Sequence, residues 1–159
     1  MDVIFFVMDY FRNFVDPSPT LCTIHTAAYR RMYPHCFPVD SIGYVPEKTS
    51  IIDQVMHSYN FSFILSGSGF YRVGKRTIRI AGPCVITQWP GEPMYYGPDD
   101  AWEELYLIYH SRCAEALTRR GFYHPGRPWW NMQPAARFTN LCQELMRTLD
   151  TINEPCAAD

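Results

Sequence analysis

Between Asn60 and Pro93 apolar and polar positions alternate in short runs, broken repeatedly by glycine and proline (NFSFILSGSGFYRVGKRTIRIAGPCVITQWPGEP). Phe61 to Ser66, Phe70 to Val73 and Thr77 to Ala81 read as three β-strands. Ser66-Gly67-Ser68-Gly69 reads as the break between the first two. Gly74-Lys75 reads as a two-residue hairpin loop of type II′, with Gly74 supplying the positive φ. Val39 to Val45 and Ser50 to Met56 predict earlier strands around Pro46-Glu47-Lys48. Cys84 to Trp89, Met94 to Gly97 and Ala101 to His110 predict later ones, separated by Pro90-Gly91-Glu92-Pro93 and Gly97-Pro98-Asp99-Asp100. About eight short strands suit a small closed antiparallel barrel or a two-sheet roll, large enough to enclose one small ligand.

The period changes at both ends. Val3, Phe6, Val7, Tyr10, Phe11 and Phe14 recur at helical steps, ended by Asp16-Pro17-Ser18-Pro19. This predicts an amphipathic N-terminal arm, either packed on the barrel or disordered in solution, or else acting as a lid or a partner-binding helix. Thr20 to Pro38 carries no clear period. Ser111 to Arg120 predicts a helix capped by Ser111 and stopped by Gly121. Gly121 to Met132 reads as a loop. Pro134 to Ile152 places Phe138, Leu141, Leu145, Leu149 and Ile152 on one helical face. The expected organisation is an arm over 1–38, a barrel over 39–110 and a helical part of the same domain over 111–159.

Composition narrows the classes. The chain has 159 residues, enough for one domain with a core. Hydrophobic residues are 47% and charged ones 19%, which is globular. Against 16 acidic residues there are 14 basic ones, so this chain has no basic excess with which to grip nucleic acid. Met1 to Val15 is interrupted by Asp2, Asp9 and Arg12, too short and too charged for a membrane span or a secretory signal. The six cysteines show no repeating interval, which leads us to expect a cytoplasmic protein with reduced thiols.

Several segments together resemble a known family. They are Ser66-Gly67-Ser68-Gly69, Ala81-Gly82-Pro83, Trp89-Pro90-Gly91-Glu92-Pro93, Tyr95-Tyr96-Gly97, the Trp102 strand, and Gly121-Phe122-Tyr123 before an amphipathic helix. In this order they resemble the N-terminal ligand-sensing domain of AraC-type transcription regulators, over roughly Val39 to Asp150. The resemblance implies a mainly β fold: a cupin-like antiparallel barrel, or jelly roll, followed by C-terminal α-helices. Gly82-Pro83-Cys84 stands where the family often has Pro-Gly-Asp, and Met94 where it often has His. The family's DNA-reading helix-turn-helix domain has no counterpart here. The chain is therefore expected to be a sensor cut from a longer regulator, or a natural fragment, with DNA as a partner only through the missing part and a homodimer as an open option.

The chemistry candidates follow. Catalytic cupins hold a metal with His and Glu ligands from paired strands. Phe61 to Tyr71 contains no His and the later position is Met94, so neither metal nor cofactor is expected. Cys22-x-x-His25 with His35-Cys36 is a loosely spaced zinc possibility only. No nucleophile elbow, phosphate loop or dinucleotide fingerprint occurs, so no catalytic residue and no enzyme activity are expected.

Alternation puts Trp102, Glu104, Tyr106 and Ile108 on one face. The resemblance implies that Tyr106 stacks on a ligand, that Tyr96 offers a hydroxyl and that Glu104 accepts hydrogen bonds. The alternative places Tyr106 in the core and the other two at the surface. Ser62 and Ile64 are expected to line the cavity, with the bulkier face of their strand under the helices. Gln54 and Gln88 are weaker candidates. Glu104 is expected to favour hydroxyl-rich or cationic ligands over anions, because an unpaired buried charge is costly. The expected function is sensing of a small metabolite effector, a sugar among the options. The alternatives are a cupin isomerase or oxygenase, or a plain dimerisation barrel.

Overall fold

The computed structural model describes residues 22–25 and 37–151. The strands are β1 Cys22–His25, β2 Val39–Lys48, β3 Ile52–Val55, β4 Tyr59–Val73, β5 Arg76–Ala81, β6 Cys84–Gln88, β7 Pro93–Tyr109 and β8 Trp129–Asn131. A 3₁₀ turn, Ser111–Cys113, leads into helix α1 (Ala114–Arg119), and helix α2 spans Ala135–Thr151. All the pairings are antiparallel. The main path runs β1-β2-β7-β4-β6-β8, with β3 added to β7 and β5 to β4. The fold is the expected cupin-like roll followed by helices, but the sheet is not closed.

Two long strands make the roll. β4 and β7 pair from Tyr59↔Tyr109 to Val73↔Met94, with register shifts at Ile64/Ser66 and Gly67/Gly69. One half of this ribbon lies between β2 and β6, the other between β3 and β5. This corrects two sequence readings. Ser66-Gly67-Ser68-Gly69 and Gly97-Pro98-Asp99-Asp100 are not turns between strands but the bent middles of β4 and β7. They lie against each other, Gly69 opposite Pro98.

Close approach explains their composition. A Cβ on Gly67 would stand 2.6 Å from the Ala101 carbonyl oxygen, and one on Gly69 would stand 2.1 Å from that of Gly97. Gly67 also takes φ +92°, which costs glycine nothing. Glycine therefore lets the ladder bend without breaking. The Gly74-Lys75 loop is as expected: Gly74 has φ +55° while no non-glycine residue has positive φ among the described residues.

Two further segments depart from the sequence reading. β1 forms inside the stretch without a clear period and pairs with β2, and β8 forms inside the expected loop and pairs with β6. Both are short edge strands whose partners, not their own pattern, hold them extended. The expected arm over Met1 to Pro19 lies outside the described residues.

Alternation along the strands divides the core into two clusters. The outer face of the sheet, with Phe61, Phe63, Leu105 and Leu107, packs against Leu117 of α1 and Phe138 and Cys142 of α2. The inner face, with Ile64, Tyr71, Ile86, Met94, Tyr96 and Trp102, fills the concave side. Gly121 at φ +73° follows α1 and Pro134 stands just before α2, as the sequence predicts, but the cap at the start is His110 and not Ser111: its Nδ1 accepts from the Arg112 N–H at 3.1 Å.

Burial raises the Cys84 thiol from its ordinary 9.0 to about 12, and burial together with nearby Glu103 does the same for Cys142. Burial also pushes the Tyr71 and Tyr109 hydroxyls upward. These groups stay protonated in the fold and ionise more readily in the unfolded chain. Their contribution to stability is therefore complete below about pH 9 and declines as pH rises towards about 12. Urea midpoints should fall between about pH 8 and about pH 11. A flat profile would mean that these groups are exposed.

Candidate ligand-binding site

The pairing register lines up the inner face in rows. One row reads His25, Ser41, Ile108, Asn60, Gln88 across β1, β2, β7, β4 and β6. The next reads Thr23, Gly43, Tyr106, Ser62, Ile86. A third reads Val45, Glu104, Ile64, Cys84 across β2, β7, β4 and β6. Ser41, Asn60, Ser62, Gln88 and Glu104 are all buried. A polar stripe thus runs through an otherwise apolar interior.

Each polar group has a local setting. His25 Nδ1 lies 2.9 Å from Ser41 Oγ. Thr23 Oγ1 and the Tyr106 hydroxyl are 2.8 Å apart. Asn60 Nδ2 donates to Ser62 Oγ at 3.2 Å. From the opposite wall the Tyr96 hydroxyl reaches Ser62 and Asn60, and burial with the nearby Glu104 charge holds it protonated. Neither Gln88 carboxamide atom nor Asn60 Oδ1 has a hydrogen-bond partner among the described residues.

A Cβ on Gly43 would lie 2.1 Å from the Tyr106 ring, so glycine gives that ring its bed across the strand pair.

At the other end of the stripe lies a buried ion pair. Lys48 Nζ donates to Glu104 Oε2 at 2.7 Å, and Trp102 Nε1 donates to the same oxygen at 2.9 Å. The ammonium sits 4.9 Å from the centre of the Tyr96 ring and 5.8 Å from that of Trp102. These two rings stack at 6.4 Å and 17°. Lys48 therefore has a carboxylate beside it and aromatic faces against it.

All the expected site residues come together on the inner side. Tyr96, Glu104, Trp102, Ser62 and Ile64 are buried there, and Tyr106 is half-buried in the middle row. The alternatives with Glu104 and Tyr96 at the surface are excluded by their burial. Gln88 belongs to the stripe, whereas Gln54 is exposed and turned to Met56 Sδ. One electrostatic expectation is corrected. Glu104 is not an unpaired carboxylate, because Lys48 neutralises it, so it gives no preference for cations. Lys48 escaped the sequence reading because Pro46-Glu47-Lys48 looks like a turn. The chain there runs on as β2 through a register shift, and Lys48 reaches the Trp102 position of β7. Asn60 could have been found, since it shares the parity of Ser62 and Ile64.

Among the described residues, no group of three or more His, Cys, Asp or Glu is arranged to hold a metal ion. His35 and Cys36 of the loose zinc pattern lie outside them. No helix among them is long and apolar enough to cross a membrane.

A cavity of about 520 Å³ lies on the opposite side of the sheet, under the helices. It is bounded by Phe61, Phe63 and Leu107 from the strands and by Leu117, Phe138 and Leu141 from the helices. Its lining is almost entirely apolar, with Arg137 and Gln133 at its polar margin.

A family model described as AraC-like ligand binding domain matches residues 48–158. No curated protein matches the chain. Among solved structures, the chain is similar to the EutQ protein of Clostridium difficile at 15% identity and TM-score 0.39, over 45% of this chain and 56% of that one. The chain thus spans little more than half of that EutQ chain. It is also similar to a cupin protein from Bacteroides fragilis (12% identity, TM-score 0.42, 65% of this chain, 87% of that one). A Cupin 2 conserved barrel domain protein from Salinispora arenicola gives 12% identity and TM-score 0.42, over 68% of this chain and 99% of that one.

Proposed function

The chain belongs to the AraC-like ligand binding domain family, matched over residues 48–158, and from that premise we propose that its concave interior binds a small metabolite. In this reading the chain is the effector-sensing part of a cytoplasmic transcription regulator and not an enzyme. Its DNA-binding part is a separate domain.

One observation carries the choice of site. The inner face buries two neighbouring carboxamides, Asn60 and Gln88, with hydrogen-bonding atoms that no described residue meets. A fold gains nothing by hiding such groups, whereas a ligand that bonds to them gains affinity and orientation. The stacked Tyr96 and Trp102 rings supply an apolar wall beside it. The cavity under the helices is roomy but offers little polar chemistry with which to choose among metabolites.

Binding regulates only if the ligand prefers one arrangement of the whole protein over another. That preference is a property of the full regulator. Binding itself belongs to this chain and is tested on it. A thermal-shift screen with neutral sugars and other small metabolites should find a stabilising ligand. At a concentration of about 100 Kd the gain is about 2.7 kcal/mol, or roughly 5–10 °C for a chain of this size. A dimerisation barrel predicts no shift with any compound. A cupin metalloenzyme predicts stoichiometric metal in the purified protein.

A further inference from the structure

We infer that the ligand engages the Gln88 carboxamide and is a neutral molecule presenting a hydrogen-bond donor and an acceptor side by side. A vicinal diol and a primary carboxamide share that chemistry. The inference rests on the reading that the concave interior is the binding site.

Gln88 is 0% exposed, and neither its Oε1 nor its Nε2 has a partner among the described residues. A buried amide in that state is costly and needs a reason. Its neighbour across the strand pair is Asn60, 5% exposed, whose Oδ1 is open in the same way. The conclusion does not depend on which way the Gln88 amide is turned. Exchanging its oxygen and nitrogen still leaves one donor group and one acceptor to be met.

Charged ligands answer this pair badly. A carboxylate only accepts, so it would set its lone pairs against the carbonyl oxygens of Asn60 and Gln88. An ammonium only donates, so it would leave the Gln88 N–H groups unmet. The Lys48–Glu104 pair is closed on itself at 2.7 Å and asks for no counter-charge. A diol or a carboxamide can donate to the two oxygens and accept from Gln88 Nε2 at once. The hydroxyls of Ser62 and Tyr96 extend the same surface by one row.

The test uses matched probes titrated calorimetrically into the full chain: propane-1,2-diol against lactate, in which a carboxylate replaces one end of the diol, and nicotinamide against nicotinate. At least one neutral member should bind, and its anionic counterpart at least about tenfold more weakly. Which pair responds tells a diol from an amide. Gln88→Leu and Gln88→Met should each weaken the neutral probe by about tenfold or more. Their melting temperatures without probe should equal or exceed that of the parent, because an unmet polar group has been removed.

Equal binding of the anion, unchanged binding by both variants, or a fall in both melting temperatures overturns the inference. So does a failure of all probes to bind. Ser62→Trp separates the two levels. Neutral-probe binding that survives Ser62→Trp means that the interior is not the site. Binding lost in Ser62→Trp but unchanged in both Gln88 variants leaves the site and removes Gln88 from it.

Discussion

Glu104→Leu is expected to destabilise the fold by about 3–5 kcal/mol, the cost of leaving one member of a buried ion pair without the other. For a chain of this size that is on the order of 10 °C in melting temperature. The side chains of Lys48 and Glu104 are only 10% and 2% exposed, so solvent does little to cushion the loss. Trp102 Nε1 loses its acceptor in the same step. The long Lys48 stem can carry its ammonium towards water, which puts the effect at the lower end of the range.

Lys48→Met should cost a similar amount, because the carboxylate then keeps only the indole donor. The double variant Lys48→Met with Glu104→Leu should recover most of the loss, since two apolar side chains replace a pair that had to be desolvated. Urea denaturation of the four proteins measures the coupling directly. Additive losses, with the double variant the worst, would show that the pair is solvated and contributes little.

That ion pair also marks where the sequence stopped being readable. Alternation alone grouped the residues that share a face of β4 and of the second half of β7, but it did not say which face is the inner one. Ser62 and Ile64 share one parity, and Trp102, Glu104 and Tyr106 share another. The hairpin at Gly74-Lys75 and the helix before Gly121 were legible, because each is a local matter of backbone conformation. The bends of β4 and β7 were not. Gly67, Gly69 and Gly97 carry the signature of turns, and only their mutual packing shows that they let two strands lie close without a break.

Lys48 is the same lesson at the site. Its partner is 56 positions away, and nothing near Pro46 announces it. The resemblance put the stacking ring at Tyr106, whereas the structure stacks Tyr96 on Trp102 beneath an ammonium, an arrangement that depends on the β2 register shift beside Lys48. The edge strands β1 and β8 were missed because four and three residues carry too little period to register. The cavity under the helices has no local sequence signature, since its walls come from strands and helices far apart in the chain.

The second large effect concerns binding. The neutral metabolite that gives the strongest thermal shift should lose at least about 100-fold in affinity, or about 2.7 kcal/mol, when Ser62 becomes Trp. Ser62 is fully buried in the middle row, between Tyr106 and Ile86, and an indole there occupies the space that a ligand would need. Overpacking of this kind costs about 1–3 kcal/mol of stability. Ser62→Leu therefore serves as the milder companion, with near-ultraviolet circular dichroism to confirm that each variant is folded. Leu141→Trp fills the cavity on the other side of the sheet and should leave affinity within about twofold of the parent.

Calorimetric titration of that metabolite into the parent, Ser62→Trp and Leu141→Trp decides between the two faces of the sheet. Loss of binding in Ser62→Trp with retention in Leu141→Trp is the predicted result. Retention in folded Ser62→Trp, with loss in Leu141→Trp, would contradict the account and move the site beneath the helices.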